Sequence, residues 1–222
     1  MDVKDAVLAR KSIRAFDATP VSRKVLEEIL ETALRAPSWG NTQPWKFTIV
    51  GGDPLTRIQE EYVRLFGEDV PPNSDFEMPT EFSDAQKVRY QGLGKGLFQA
   101  LGIEREDTEK RNTFYENMMR ALGAPHVIYL QLDKGFNPYA LMDGGTILQT
   151  IALLAVEKGL GTCFLAQAVR YPDVVRKHAG IPPDQMLVMG MAIGTPIQDH
   201  PVNLFHSERG KPEEFFRFLE IP

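Results

Sequence analysis

Three cations and a hydroxyl group stand within five residues near the start of the chain. In the stretch ARKSIRAF, residues 9–16, Arg10, Lys11 and Arg14 surround Ser12. Such a local cluster indicates contact with a small ligand, because hydrogen bonds from charged donors are stronger than neutral ones. Cations in the last turn of a helix also interact favourably with the negative end of its dipole, so this simpler interpretation stays open for the stretch taken alone.

A second polar stretch follows, APSWGNTQPW at residues 36–45. Four short polar residues stand between two prolines and both tryptophans of the chain. The prolines fix backbone angles and Gly40 permits unusual ones, so polar side chains and amides can address a ligand at close range. The alternative is an ordinary turn that places Trp45 in the core.

The usual signatures of nucleotide, metal and nucleophilic sites are missing from the sequence. Gly92 and Gly94 begin a G-x-G pattern, but Leu97 occupies the third glycine position of a dinucleotide fingerprint. The four histidines stand in none of the spacings typical of metal ligands, so no metal is expected. No P-loop or G-x-S-x-G motif occurs, and Cys163 has no identifiable base. A bound organic cofactor is left as the source of any difficult chemistry.

Charge and hydropathy exclude several classes of partner. The net charge of -5 and pI of about 5.5 argue against nucleic-acid binding, which needs a surplus of Lys and Arg on one face. No signal-peptide pattern occurs, and no run approaches the roughly 18 apolar residues of a membrane span, so we expect a soluble protein without membrane contact. The single cysteine, Cys163, fits a reducing compartment and a buried thiol, so we expect a cytoplasmic location.

Helical and strand patterns mix along the whole chain. Apolar residues at helical spacing predict helices, and β-rich runs bounded by glycine predict strands. The expected helices lie at 23–36, 54–66, within 84–123, at 139–158 and at 172–179, and the expected strands at 45–52, 126–133, 161–167 and 185–194. The helix at 139–158 is the most apolar and is expected to be nearly buried. No repeat or composition break divides the chain, which predicts one α+β domain over 1–222 with a helix-covered sheet.

Two segments stand apart from this pattern. Residues 67–82 carry three prolines and five carboxylates without a period, which indicates a surface excursion. The final stretch KPEEFFRFLEIP, residues 211–222, carries three phenylalanines, a leucine and an isoleucine. A soluble monomer rarely exposes such an apolar surface, so this tail is expected either to fold back or to cover a partner subunit.

Four motifs in order resemble the FMN-dependent nitroreductase family over nearly the whole chain. They are ARKSIRAF, APSWGNTQPW, KGLGTCFLAQ and the late GTPxxxxxVNLFHSERGKPEEFF. The resemblance implies an α+β fold with a central mixed β-sheet flanked by helices. It also implies an intertwined homodimer in which both chains line each of two FMN sites, a lid-like excursion at about 67–122, and a C-terminal tail at about 205–222 that wraps the partner.

The resemblance also assigns the cofactor contacts. Arg10 and Ser12 would address the FMN phosphate and ribityl chain, and Arg14 would lie toward the N1 and O2 edge of the ring. Lys11 replaces a more usual Arg or His, which keeps the charge but loses the planar fork of Arg. Arg209 matches the late arginine that completes the phosphate site. A phosphate monoester is held best by several charge-assisted hydrogen bonds, so the assignment is physically sensible.

Further contacts would come from three other places. The family often has Lys or Ser two residues before the late Arg; here Ser207 adds no charge. Backbone amides around Ala166 and Gln167 would point toward the N5 side of the ring. The residues that would reach the flavin of the other subunit are Pro37, Ser38, Trp39 and Asn41.

The activity implied by the resemblance is oxidoreduction. FMN would take hydride from NADH or NADPH at N5 and pass electrons to a nitroaromatic or quinone acceptor in the same place, by a ping-pong mechanism. No side chain is expected to be catalytic. Two alternatives stay open: an iodotyrosine deiodinase-like reductive dehalogenase, and a slow flavin-binding or sensor protein.

Overall fold

A computed structural model describes residues 1–221, and Pro222, the last residue of the predicted tail, lies outside the described residues. The helices are α1 (Val3–Ala9), α2 (Arg23–Ala33), α3 (Gly52–Gly67), α4 (Asp84–Ala100), α5 (Thr108–Met119), α6 (Pro138–Glu157), α7 (Pro172–Ala179) and α8 (Pro201–Leu204). The strands are β1 (Lys46–Gly51), β2 (His126–Asp133), β3 (Gly161–Leu165) and β4 (Gln185–Gly194). The predicted α+β class is confirmed.

The four strands form one sheet in the order β1-β2-β4-β3. Each neighbouring pair is antiparallel, and an irregularity between Leu130 and Gln131 shifts the register of β2 against β4. The sheet therefore differs from the predicted mixed arrangement. Within residues 1–221, parallel pairing is limited to an isolated bridge between Ser12 and Thr162, because the segment that follows α1 runs along β3 for too short a distance to count as a strand.

Two elements end two or three residues before their predicted positions. Helix α2 ends at Ala33 rather than at 36, and its last turn tightens through hydrogen bonds from Arg35 N–H to Thr32 and from Ala36 N–H to Ala33. This is expected close to Pro37, because the residue before a proline avoids helical angles. Strand β3 ends at Leu165 rather than at 167, since the chain turns there into the 3₁₀ turn Ala166–Val169.

The core lies on both faces of the sheet. One face packs mainly against α3, α5 and α7, and the other against α2 and α6. The sequence predicted no run of membrane-spanning length, yet α6 has the length and composition of a span, with a mean hydropathy of 1.4. Its buried residues include Ile147 and Ile151, which pack in the second core cluster, as in a core helix of a globular protein. Tyr139 and Met142 on the same helix are exposed.

The excursion before α4 is fastened to the sheet at its beginning. The Asp75 carboxylate pairs with Arg176 at 2.5 Å and accepts the Leu187 backbone N–H at 2.8 Å. The Tyr171 hydroxyl donates to the Val70 carbonyl at 2.8 Å. Residues up to about 76 therefore have fixed partners, and α4 and α5 extend from this anchored base.

A neutral histidine holds the loop before α2. His126 Nε2 accepts the Val21 backbone N–H at 3.0 Å, and burial lowers the pKa of His126. The unfolded chain takes up this proton near pH 6.5. We therefore expect the contribution of His126 to the free energy of unfolding to be fully present above about pH 6.5. It should be lost as the pH drops from about 6.5 toward the lower pKa of the folded state, by at most about 1.4 kcal/mol per pH unit.

Urea unfolding between pH 7.5 and 5 measures this effect, with His126→Gln as the matched variant. Glutamine keeps an acceptor for the Val21 N–H but does not titrate. The unfolding of this variant should therefore take up one proton fewer below about pH 6.5, and its free energy of unfolding should fall less steeply with decreasing pH. Identical pH dependence in both proteins would show that His126 does not carry it.

Candidate functional site

The cations of ARKSIRAF lie beyond the end of α1. That helix ends at Ala9, and Arg10 has extended backbone angles. The helix-capping interpretation is therefore wrong for Lys11 and Arg14, which follow the helix. The segment instead pairs with β3, through the Ser12 bridge and through Ile13 N–H, which donates to Thr162 O at 2.9 Å.

A buried amide fixes the same segment from the other side. The Asn203 carbonyl oxygen accepts the backbone N–H groups of Arg14 at 2.8 Å and Ala15 at 3.2 Å. The Asn203 amide nitrogen donates to the carbonyls of Ala15 at 2.7 Å and Ile197 at 2.9 Å. In this extended backbone Ile13 and Ala15 are buried, while Ser12 and Arg14 alternate with them toward the cavity described next.

Six of the predicted cofactor residues surround one cavity of about 480 Å³, which we call the cation-lined cavity. They are Arg10, Lys11, Ser12, Arg14, Ser207 and Arg209. No carboxylate lines it among residues 1–221, and within that range none of the four cations forms a salt bridge. Like charges gathered without counter-ions repel one another, so this cavity suits an anion with several acceptor oxygens.

Arg209 is oriented by its own turn. Its Nη1 donates to the Ser207 hydroxyl at 2.7 Å and to the carbonyls of Ser207 and Glu208, both at 3.0 Å. The hydroxyl of Ser207 thus supports the arginine two residues later. A side chain held in one geometry loses less entropy when it binds a ligand.

A second cavity of about 320 Å³, the apolar cavity, adjoins the first at Arg14, which lines both. Its wall is mostly aromatic and aliphatic, and it is built from α4, α5 and β3. The lining side chains include Tyr90, Leu93, Leu97, Phe98, Phe114, Tyr115, Met118, Leu122, Cys163, Phe164 and Leu165. Such a cavity suits a planar, largely apolar ring.

Cys163 is buried in the wall of the apolar cavity. Burial raises the pKa of its thiol, although Arg14, Ser12 and Arg10 act in the opposite direction. The thiol therefore stays neutral at physiological pH and is a poor nucleophile. This agrees with the predicted role as a buried small hydrophobic residue.

The predicted loop contacts lie elsewhere. Trp39–Asn41 form a 3₁₀ turn in which Gly40 and Asn41 have φ of 56° and 57°, and both carboxylate oxygens of Asp143 accept the Trp39 N–H, at 3.1 and 3.2 Å. Trp39 lines a third cavity of about 220 Å³ together with Tyr139. Within one chain, therefore, none of the four predicted loop residues lines the cation-lined cavity. These residues are Pro37, Ser38, Trp39 and Asn41.

Ala166 and Gln167 follow directly after the apolar cavity. The cavity wall on β3 ends at Leu165, so neither residue lines it. The Gln167 side-chain oxygen is buried and has no hydrogen-bond partner among the described residues. Their contact with the flavin ring stays a prediction.

Sequence reasoning missed three groups that complete the site. Asn203 fixes the cation segment, Gln149 on α6 lines the cation-lined cavity, and the aromatic wall comes from α4 and α5. A polar residue between apolar ones in PVNLF was the available signal for Asn203. For Gln149 and the aromatic wall, no local pattern in the sequence identified the partner surface.

The two adjoining cavities together suit a planar ligand that carries a strongly anionic group. The Nitroreductase family profile matches residues 7–195. The chain belongs to the nitroreductase family.

Individual relatives agree with this assignment. Nitrobenzene nitroreductase of Ectopseudomonas oleovorans is 31% identical over 220 residues, which cover 98% of this chain and 96% of the relative. 4-Nitrobenzoate reductase of Pseudomonas putida is 28% identical over 97% of this chain and 95% of the relative. The crystal structure of the FMN and NADPH-dependent nitroreductase NfnB from Sphigopyxis sp. strain HMH matches with a TM-score of 0.94, 32% identity and full coverage of both chains. NfnB from Mycobacterium smegmatis in complex with NADPH matches with a TM-score of 0.92 and 29% identity, over 99% of this chain and 100% of NfnB.

Proposed function

We propose that this protein is an FMN-dependent oxidoreductase that takes hydride from NADPH or NADH and reduces nitroaromatic or quinone acceptors. The observation that carries the proposal is a carboxylate-free cluster of four cations that adjoins an aromatic cavity at Arg14. A phosphorylated flavin has this combination of a dianionic group and a planar ring. Two relatives are named for the reduction of nitrobenzene and of 4-nitrobenzoate, which supports nitroaromatic compounds as the acceptor class.

The residues fit FMN as follows. Arg10, Lys11, Ser12 and Arg209 would hold the phosphate, and Arg14, shared by both cavities, would place positive charge beside the ring. FMN, when bound, supplies the hydride and electron transfer chemistry. A cation beside the ring favours a reduced, anionic state of the cofactor.

The apolar cavity accounts for the expected kinetics. With the flavin ring in part of this cavity, the nicotinamide and the acceptor would both have to stack on the same open face of the ring. The nicotinamide would then leave before the acceptor binds, which predicts ping-pong kinetics. The cavity wall, within residues 1–221, contains no carboxylate and no histidine, and its thiol is neutral. The phenols of Tyr90 and Tyr115 also line this wall, so its composition alone does not assign the proton donor. We propose that the acceptor takes its protons from water or from the reduced flavin, without a side-chain general acid.

We further propose a homodimer in the cytoplasm. The tail side chains Phe215, Phe216, Phe218, Leu219 and Ile221 are between 59% and 79% exposed, an apolar surface that a second chain would cover. In that dimer the Trp39 loop would approach the partner's FMN, and residues 67–122 would act as a lid over the acceptor.

The deiodinase alternative receives less support from the cavity. A zwitterionic amino acid needs both a cation and a carboxylate as partners, and Arg14 is the one charged side chain among the described lining residues of the apolar cavity. The flavin-binding or sensor alternative uses the same binding residues, so only a rate measurement separates it from the oxidoreductase.

An absorption spectrum of the purified protein, followed by stopped-flow reduction, tests the proposal. We expect a flavin spectrum, FMN as the species released by heat, rapid bleaching by NADPH or NADH, and recovery of colour with nitrobenzene, 4-nitrobenzoate or benzoquinone. A protein that is colourless and does not take up FMN would overturn the cofactor assignment. Bleaching over hours at millimolar nicotinamide would instead favour the sensor.

A further inference from the structure

Helix α4 presents two different faces to the rest of the molecule. Five of the six α4 residues that line the apolar cavity repeat at positions i, i+3, i+4, i+7 and i+8, namely Tyr90, Leu93, Gly94, Leu97 and Phe98, and Gln91 lies beside the first of them. Arg89 and Gly96 are seven residues apart, so they lie about two helical turns from each other on a neighbouring face. This second face contacts residues 205–215, which we call the strap.

The strap contacts α4 at two points. At the first, Phe205 packs so closely on Gly96 that a Cβ added there would come within 2.5 Å of the phenylalanine ring. At the second, Arg89 pairs with Glu214 at 2.5 Å, and its guanidinium carbon lies 5.2 Å from the centre of the Phe215 ring. The two contacts fix both the distance and the orientation of the helix relative to the strap.

Glu214 also stabilises the strap itself. One of its carboxylate oxygens accepts the Lys211 backbone N–H at 2.8 Å, which closes the 3₁₀ turn Pro212–Glu214, and the other pairs with Arg89. The Phe215 ring lies against Gly210, where a Cβ would come within 2.6 Å of it. The turn is therefore compact, and its position depends on a single carboxylate with two partners.

The strap also carries one side of the cation-lined cavity. Phe205, His206, Ser207 and Arg209 line that cavity, and Glu214 follows Arg209 by five residues. A ligand bound to Arg209 would therefore hold in place the segment that contacts α4. In turn, α4 forms one wall of the apolar cavity.

We propose that Arg89 and Glu214 are positioning residues that link the occupied cation-lined cavity to the shape of the apolar cavity. This inference rests on the proposed function, because it concerns how FMN binding prepares the acceptor site. Neither residue lines the cation-lined cavity or the apolar cavity, so the pair would act through α4. Linkage is reciprocal, so an acceptor analogue should bind more tightly to the FMN-loaded protein than the ring contact alone explains.

Kinetics of FMN-saturated protein test this role, with Arg89→Gln, Glu214→Gln and the double variant. An exposed ion pair and a cation–π contact are each modest, so we expect KM for nitrobenzene to rise about three- to tenfold in each single variant. The double variant should show no further rise over Arg89→Gln, since that substitution already removes both the ion pair and the cation–π contact. The rate of flavin reduction at saturating NADPH, kcat and the flavin absorption maximum should stay unchanged, which separates positioning from general damage.

Glu68→Gln is the matched control, because Arg64 and Glu68 form a pair of similar exposure on α3, outside the three cavities described above. It should leave KM unchanged. Unchanged KM in the Arg89 and Glu214 variants, additive effects in the double variant, or an equal rise in the control would each overturn the inference. Wild-type protein in the same series separates the two proposals: an active wild type with unaffected variants rejects only the positioning role, whereas an inactive wild type rejects the proposed function and this inference with it.

Discussion

Replacing Arg10 or Arg209 by alanine should weaken FMN binding by about 1.5–3 kcal/mol, the usual contribution of a charge-assisted hydrogen bond. This corresponds to a rise in Kd of roughly 10- to 150-fold. The effect should be this large because both side chains line the cation-lined cavity and neither has a carboxylate partner among residues 1–221. Removing either leaves the phosphate with fewer donors but creates no unpaired carboxylate in the protein.

Fluorescence titration of the apo-protein with FMN measures these changes. Arg57→Ala is the control, because Arg57 is an exposed arginine on α3 and lines a different surface depression. It should bind FMN as the wild type does. Riboflavin, which lacks the phosphate, should bind the wild type and the Arg10 and Arg209 variants with similar affinity. If FMN affinity were the same in all four proteins, the cation-lined cavity would not be the phosphate site.

The cation cluster shows how much of the site can be predicted from local sequence patterns. The spacing of ARKSIRAF identified three of the four cations, but the helix-dipole alternative remained open until α1 was seen to end at Ala9. Arg209 stands some 195 residues further along the chain, and only the family resemblance placed it beside Arg10. Contacts between residues so far apart in the sequence depend on strand pairing and on buried side chains that bond several segments, such as Asn203. Neither feature produces a periodic pattern in the sequence.

The apolar cavity is the part of the site that the sequence predicted least well. Helical spacing predicted helices within 84–123, but α4 and α5 lack the strong one-sided pattern of α2, so their sequence does not show which face lines a cavity. Tyr90 is 65% exposed and Tyr115 is 37% exposed, although both line the cavity. Residues that face a ligand site need not obey the rule that apolar side chains are buried, and this is why the substrate-facing part was the hardest to predict.

Asn203→Leu should cause the largest loss of stability of any substitution near the site, about 3–5 kcal/mol, because buried groups left without partners cost about 1–3 kcal/mol each. Asn203 is 2% exposed as a residue, and its side chain makes four hydrogen bonds to backbone groups of Arg14, Ala15 and Ile197. Leucine has a similar size but replaces none of them. The melting temperature should fall by roughly 6–20 °C.

The same substitution should also weaken FMN binding, since Asn203 holds the backbone that carries Arg14 into both cavities. The Asn203→Asp variant distinguishes the acceptor role of the amide oxygen from the donor role of the amide nitrogen. Aspartate keeps an acceptor for the Arg14 and Ala15 N–H groups but loses the donor and sets a carboxylate against the carbonyls of Ala15 and Ile197. Asn112→Leu, the same change at an exposed position on α5, is the control and should alter neither quantity by much. Thermal unfolding and FMN titration of the three variants decide the matter: an Asn203→Leu protein as stable as the control would mean that the cation segment is held by its pairing with β3 alone.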